Sequence, residues 1–142
     1  MCAWGCVVDV RLACLLLGIR TPEQLRLHPL RGALFERWVA SEVLKARLHA
    51  GRPADLFHIR EDRGVELDLV AEAGGRVFGV EVMSGATLAP DFFPSPAAFA
   101  ERVAKELPHI QSVPRLLYKG YRRETRRSVE VVPWSEVQDV EW

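Results

Sequence analysis

The 142-residue chain carries no net formal charge, because 19 lysines and arginines balance 19 aspartates and glutamates. It is therefore no polycation, and any contact with nucleic acid has to come from a local patch. No apolar run reaches the roughly 20 residues that a membrane-spanning helix needs, so no membrane partner is expected. The opening MCAWGCVVDVRLACLLLGI is apolar, but it holds Asp9 and Arg11 and has no basic leader. That argues against a signal peptide. Cysteine is scarce: Cys2, Cys6 and Cys14 all lie in this first segment, and no Cys or His pair follows at zinc-ligand spacing. Reduced, packed thiols in a cytoplasmic protein are the expectation. His28, His49, His58 and His109 are scattered, and no Ser-His-Asp constellation, internal repeat or low-complexity tract is present. A G-x-x-x-x-G-K-[ST] phosphate loop is also missing, so no ATP binding is expected.

What is present reads as one domain with room for a sizeable core. Residues 7–18 have a helical pattern ending at Gly18. Thr21, Pro22 and Glu23 start a short helical turn, with Thr as N-cap and Pro at the first helical position. LRGALFERWVASEVLKARLHAG is the longest helix, with Phe35, Trp38, Val39, Val43 and Ala46 at three- and four-residue spacing, and it stops near Gly51. A strand is expected over Leu56 to Arg60, then a turn at residues 61–64. Two strands, VELDLVAEA and RVFGVEVMSG, flank Gly74-Gly75. A proline-rich loop leads to the helix AAFAERVAKEL. The strands VPRLLYKG and SVEVVPW follow around a basic loop, and SEVQDV closes the chain as a short helix. This order makes the fold α/β with a mixed central sheet. In the loop, Phe92 and Phe93 are expected to anchor under the sheet. Trp134 is expected to pack against the closing helix.

The Gly-Gly hairpin raises the chemical question. With Gly74 and Gly75 at the centre of a tight turn, Ala73 faces Arg76 and Glu72 faces Val77. Counting on, Asp68 sits opposite Glu81 and Glu66 opposite Met83. Alternation puts these four on one face and Leu67, Leu69, Val80 and Val82 on the other, as core. Two carboxylates directly opposed across neighbouring strands repel. They need a raised pKa or a counter-charge. The simplest counter-charge for oxygen ligands is a hard divalent cation, Mg²⁺ or Mn²⁺. Such an ion activates water and stabilises a phosphoryl oxyanion. The alternative is a solvated acidic sheet face with no ion.

An acid on a helix, followed by a hairpin with Asp on one strand and Glu-x-Lys on the next, is the pattern of PD-(D/E)XK nucleases. Three stretches, RGALFERWVASEVL, FHIREDRGVELDLVAEAGGRVFGVEVMSGATLAPDFF and LLYKGYRRETRRSVEVVPW, resemble the C-terminal domain of unknown function attached to prokaryotic AAA+ type ATPases. The segment DVRLACLLLGI resembles the part that joins this domain to the ATPase. The resemblance implies a restriction-endonuclease-like fold, a mixed central sheet flanked by helices. It also implies a helical joining segment over 1–28 and a nuclease-like domain over 29–142. It assigns Glu36, Asp68 and Glu81 as catalytic and metal-binding acids, and Glu66 as a supporting acid. Where the pattern has lysine, this chain has Met83, with neither charge nor donor. Lys105 and Lys119 are the lysines that could substitute for it. Phosphodiester hydrolysis is accordingly expected to be impaired or lost. The alternative is a non-catalytic DNA- or protein-binding regulatory module. Without the phosphate loop, the expectation is a stand-alone domain, a truncated gene product or an expressed fragment. A separate ATPase subunit is then a candidate partner.

The basic cluster Lys119, Arg122, Arg123, Arg126 and Arg127, interleaved with Tyr118 and Tyr121, is the candidate nucleic-acid contact, with arginines on phosphates and tyrosines stacking. Its alternative is a solvated hairpin connection. The apolar first helix, with Cys2, Trp4, Val7 and Leu15, is a candidate dimer surface.

Overall fold

The computed structural model describes residues 2–3, 9–60 and 64–142. A seven-stranded mixed sheet organises the chain. In chain order its strands are β1 (Cys2–Ala3), β2 (Leu56–Arg60), β3 (Glu66–Ala73), β4 (Arg76–Met83), β5 (Gln111–Tyr118), β6 (Glu124–Arg126) and β7 (Val129–Pro133). The spatial order is β1-β2-β3-β4-β5-β7-β6. The first four strands form an antiparallel run. β4–β5 and β5–β7 are parallel, and β6–β7 is antiparallel again. Among the described residues four α-helices accompany the sheet: α1 (Val10–Leu16), α2 (Pro22–Leu27), α3 (Arg31–His49) and α4 (Pro94–Glu106).

Both sheet faces are dry. On one, Val39, Ala40 and Val43 of α3 pack against Leu69, Ala71, Phe78, Val80 and Val82. On the other, Phe99 and Val103 of α4 pack against Val65, Leu67 and Val70. A third cluster, with Phe93, Leu116, Tyr118, Val129 and Val131, continues the core beneath β5 and β7. Gly79 is where α4 comes closest: a Cβ there would lie 2.3 Å from Cδ1 of Phe99. Phe93 is buried and Phe92 packs beside it, as the sequence suggested. The buried Arg47 fastens the end of α3, its Nε donating to Pro53 O (2.9 Å) and its Nη1 to Glu72 O (2.8 Å).

Local signals placed most elements. Gly74 and Gly75 both have positive φ (59° and 74°), the conformation of the primed hairpin turns. Thr21 and Gln24 form a reciprocal capping box at α2. α3 ends before Gly51, whose φ is 69°. The differences have physical reasons. Helix α1 starts at Val10, because Asp9 caps it by accepting from Arg11 N–H (2.8 Å). The expected start at residue 7 and the side chains of Cys2, Trp4, Cys6 and Val7 lie outside the described residues, as does the turn at 61–63. Cys14 is a free thiol, partly exposed rather than packed. α4 begins at Pro94, three residues before the expected start, since its first turn tolerates proline. The closing segment is only a 3₁₀ turn, Trp134–Glu136. Trp134 meets Trp38 of α3 edge-on, with centroids 5.7 Å apart, instead of packing on a closing helix.

Candidate functional site

The acids meet where the β3–β4 ladder ends. Register runs as the Gly-Gly turn dictates, from Ala73↔Arg76 to Leu69↔Val80, and stops there. The next pair would be Asp68 and Glu81. Instead, Asp68 Oδ2 accepts the Val82 N–H at 2.8 Å, so a side-chain oxygen stands in for a ladder carbonyl. On the other edge of β3, Phe57 pairs with Val70 but Ile59 pairs with Leu67, so β3 carries an extra residue there. This β-bulge resets the alternation. Leu67 consequently joins the α4-side core while Leu69, Val80 and Val82 stay on the α3 side. The expectation that these four residues share one face is thereby corrected. Glu66 pairs with Arg60 rather than Met83, and the two form an exposed ion pair at 3.0 Å. Met83 packs against the cluster of Phe93, Leu116 and Tyr118.

The three remaining acids gather at this strand end with Glu66 in electrostatic reach. Burial first, and then the neighbouring Asp68, Glu66 and Glu36, push Glu81 up to about 8. Its Oε2 is buried and has no hydrogen-bond partner. Asp68 rises to about 6, lifted by burial first, with the Val82 N–H opposing, Glu36 and Glu66 adding and the Arg60 guanidinium subtracting. Glu36, half-buried on α3, is raised by burial first and by Glu66 next, with Arg37 pulling the other way. At neutral pH the cluster is thus short of positive charge, and Glu81 holds a proton in its place. A carboxylate oxygen that is buried and unpartnered is costly. The donor set, all hard oxygen, suits Mg²⁺ or Mn²⁺. The described residues do not close around an ion: among them no group of three His, Cys, Asp or Glu side chains is placed to hold a metal.

The two spare lysines separate cleanly. Lys105 lies in the last turn of α4. That helix leads into β5, whose first residue, Gln111, donates to Gly75 O (3.3 Å), so Lys105 is at the hairpin-turn end of the sheet. Lys119 is at the acidic end. Tyr118 pairs with Met83 across β4–β5, and Lys119 N–H donates to Met83 O (3.2 Å) and Gly85 O (3.1 Å). Its side chain lines a cavity with Ser84. Ser84 approaches Glu36: a Cβ built on Gly32 would be 3.8 Å from Ser84 Oγ and 3.9 Å from Glu36 Oε1.

A family model described as a domain of unknown function, DUF4143, matches residues 31–137. The chain belongs to the DUF4143 family. No curated protein and no solved structure matches it. The DUF4143 span contains Glu36, Glu66, Asp68, Glu81, Met83 and Lys119, and leaves α1 and α2 outside.

Within that span the basic cluster is dispersed rather than gathered into one patch. Strand β6, missed in the sequence as part of a loop, pairs Glu124, Thr125 and Arg126 with β7 and turns at Arg127 and Ser128, both with positive φ. Arg123 is held by Glu130 (2.5 Å) and Glu136 (3.6 Å). Arg126 lies over the Phe93 ring, and Arg127 reaches Pro90 O (3.5 Å). Tyr118 is buried, accepting from Arg122 N–H (2.9 Å) and donating to Arg122 O (2.8 Å), so it offers no stacking face. Tyr121 is 83% exposed and does offer one. Arg115, which the sequence did not mark, is the buried centre of a second polar network. It bonds Glu130 (2.7 Å) and Glu141 O (2.8 Å), between the rings of Phe78 and Trp142. No local pattern betrays it, because all these partners are distant in sequence.

Proposed function

We propose that this DUF4143 chain is a nuclease-like domain of the PD-(D/E)XK type, whose acidic cluster takes a divalent cation and whose phosphodiester hydrolysis is impaired. Asp68 and Glu81 would hold Mg²⁺ or Mn²⁺, with Glu36 beside them and Glu66 at the rim. The observation that carries the reading is the buried, unpartnered Glu81 Oε2 beside two further acids at a broken ladder. A bound divalent ion supplies a polarised water and a counter-charge for the phosphate. The chain's own part is to orient the carboxylates. The Val82 N–H fixes Asp68, and a cation held there would favour the ionised form of the buried Glu81.

Met83 supports impairment. Its side chain belongs to an apolar cluster, so this position contributes packing and no charge. Absence of one such donor typically costs about 100- to 1000-fold in rate. The same observation favours a second reading, a module that binds DNA or a protein without cutting. DNA and a separate ATPase subunit are the candidate partners in either case.

The test is a thermal shift with Mn²⁺ or Mg²⁺ on wild type and Glu81→Ala. A ligand that binds only the folded state raises the melting temperature, by about 2.7 kcal/mol of stability at a hundredfold excess over Kd. Wild type should respond and Glu81→Ala should respond far less. No response in wild type would remove the cation from this reading.

A further inference from the structure

A cavity of about 380 Å³ opens between the α1–α2 segment, the first turns of α3 and the ends of β4 and β5. Its wall is apolar, with Val10, Leu25 and Leu34 beside the rings of Phe35 and Trp38. Those two rings stack with centroids 5.9 Å apart, and Trp134 supports Trp38 from behind. Three cations, Arg26, Arg31 and Lys119, line the same space, together with the Ser84 hydroxyl and no carboxylate. Elsewhere several arginines are neutralised: Arg52, Arg76, Arg115 and Arg123 all bond glutamates. Here the Arg31 guanidinium donates to the Arg26 carbonyl (3.3 Å) and forms no ion pair among the described residues. Neither Arg26 nor Lys119 forms an ion pair among the described residues.

The volume falls in the roughly 300–1000 Å³ range of small-molecule pockets. An aromatic, apolar wall beside three unneutralised cations fits one ligand chemistry: a flat ring system joined to a polyvalent anion. We infer that this cavity binds a nucleoside monophosphate unit, its base against Phe35 and Trp38 and its phosphate among Arg26, Arg31 and Lys119. Charge complementarity selects a phosphate dianion over a single carboxylate, and base–aromatic stacking is worth roughly 1–3 kcal/mol. The unit is either a free nucleotide or the 5′-phosphorylated end of a single strand. Ser84 and Lys119 set the cavity next to Glu36 and Met83, so a strand end held here would lie beside the acidic cluster.

The experiment is isothermal titration of the full chain in EDTA, so that it does not depend on any cation at the acids. The probes are dAMP, deoxyadenosine, inorganic phosphate, and one short oligodeoxythymidylate with either a 5′-phosphate or a 5′-hydroxyl. Expected is saturable dAMP binding at least about tenfold tighter than either phosphate or deoxyadenosine alone. Arg26→Ala and Lys119→Ala, both at exposed side chains, should each weaken it about tenfold or more. Trp38→Leu should weaken it while leaving phosphate binding unchanged. A 5′-phosphorylated strand that outbinds its 5′-hydroxyl twin identifies the strand end as the ligand; strands that bind alike or not at all, with dAMP still bound, identify the free nucleotide. The inference is overturned if neither dAMP nor the phosphorylated strand binds below about 10 mM. It is equally overturned if phosphate alone matches dAMP, or if Arg26→Ala and Lys119→Ala, with unchanged thermal unfolding, bind dAMP like wild type.

Discussion

Glu81 makes the stability of the protein depend on pH in a direction opposite to that of an ordinary paired carboxylate. Burial and three neighbouring acids lift its pKa from 4.5 to about 8. The unfolded chain titrates near the ordinary value. Between those two values the folded state keeps a proton that the unfolded state has lost. Stability is therefore fully present below the unfolded pKa and falls as pH rises, by at most about 1.4 kcal/mol per pH unit, until the folded group also ionises. Asp68, lifted from 3.8 to about 6, contributes mostly below pH 6, so the interval from pH 6 to 8 isolates Glu81. The ceiling over that interval is about 2.7 kcal/mol, which partial solvent access and proton sharing with Asp68 reduce to about 1.5 kcal/mol. Glu81→Gln keeps the shape, cannot ionise, and offers an N–H to the Asp68 carboxylate. Thermal unfolding followed by circular dichroism in EDTA, at half-unit pH steps, measures the difference. From pH 6 to 8 wild type should lose about 4 °C more than the variant. The variant should be the more stable protein at pH 8. Parallel curves would refute the buried, proton-holding Glu81, and with it the shortage of positive charge at the cluster.

Other expectations use different parts of the structure. Met83→Lys should gain Mn²⁺-dependent nicking of supercoiled plasmid over wild type, recovering part of the roughly 100- to 1000-fold. Efficient cutting by wild type that survives Glu81→Ala would show that the acids are not the site. Gly79→Ala forces a methyl into the Phe99 ring at 2.3 Å and should cost about 1–3 kcal/mol in urea unfolding; an unchanged midpoint would mean α4 is not seated there. Arg115→Ala leaves Glu130 half-buried beside a vacated space and removes the cation between Phe78 and Trp142. It should cost about 3–5 kcal/mol, whereas loss of the exposed Arg60–Glu66 pair should cost under about 1 kcal/mol.

The hairpin was legible because its signal is local. Gly74 and Gly75 supply the two positive φ values, apolar alternation marks the strands, and together they fix register as far as Leu69↔Val80. The same count brought Asp68 and Glu81 together on neighbouring strands, and the structure places them within electrostatic reach of each other. What the sequence could not show is where that register fails. The β3 bulge exists only in relation to β2, and the Asp68 side chain displaces a ladder bond only because the strands part there. A strict count therefore opposed Glu66 to Met83 and grouped Leu67 with Leu69, and both were wrong beyond the bulge. The covered second face was hidden too, since nothing in the strand around Gly79 tells that Phe99 of α4 packs against it.

Placement also decides between the two lysines, and it sharpens the meaning of Met83. Nothing near either lysine in sequence says which end of the sheet it reaches. The parallel crossover through α4 answers it: β5 starts beside the glycine turn and ends beside Met83, so Lys105 is excluded from the acids and Lys119 brought next to them. Lys119 does not thereby replace the missing motif lysine. Met83 is held in the cluster beneath β5, whereas Lys119 lines the aromatic cavity with Ser84. A charge placed there serves a ligand arriving from the α1–α2 side better than a water between Asp68 and Glu81. The acids are kept on β3, β4 and α3, while the cations Arg26, Arg31 and Lys119 line a neighbouring pocket. On the function and the ligand proposed above, that division would leave a chain able to hold a phosphate without the donor needed to break it.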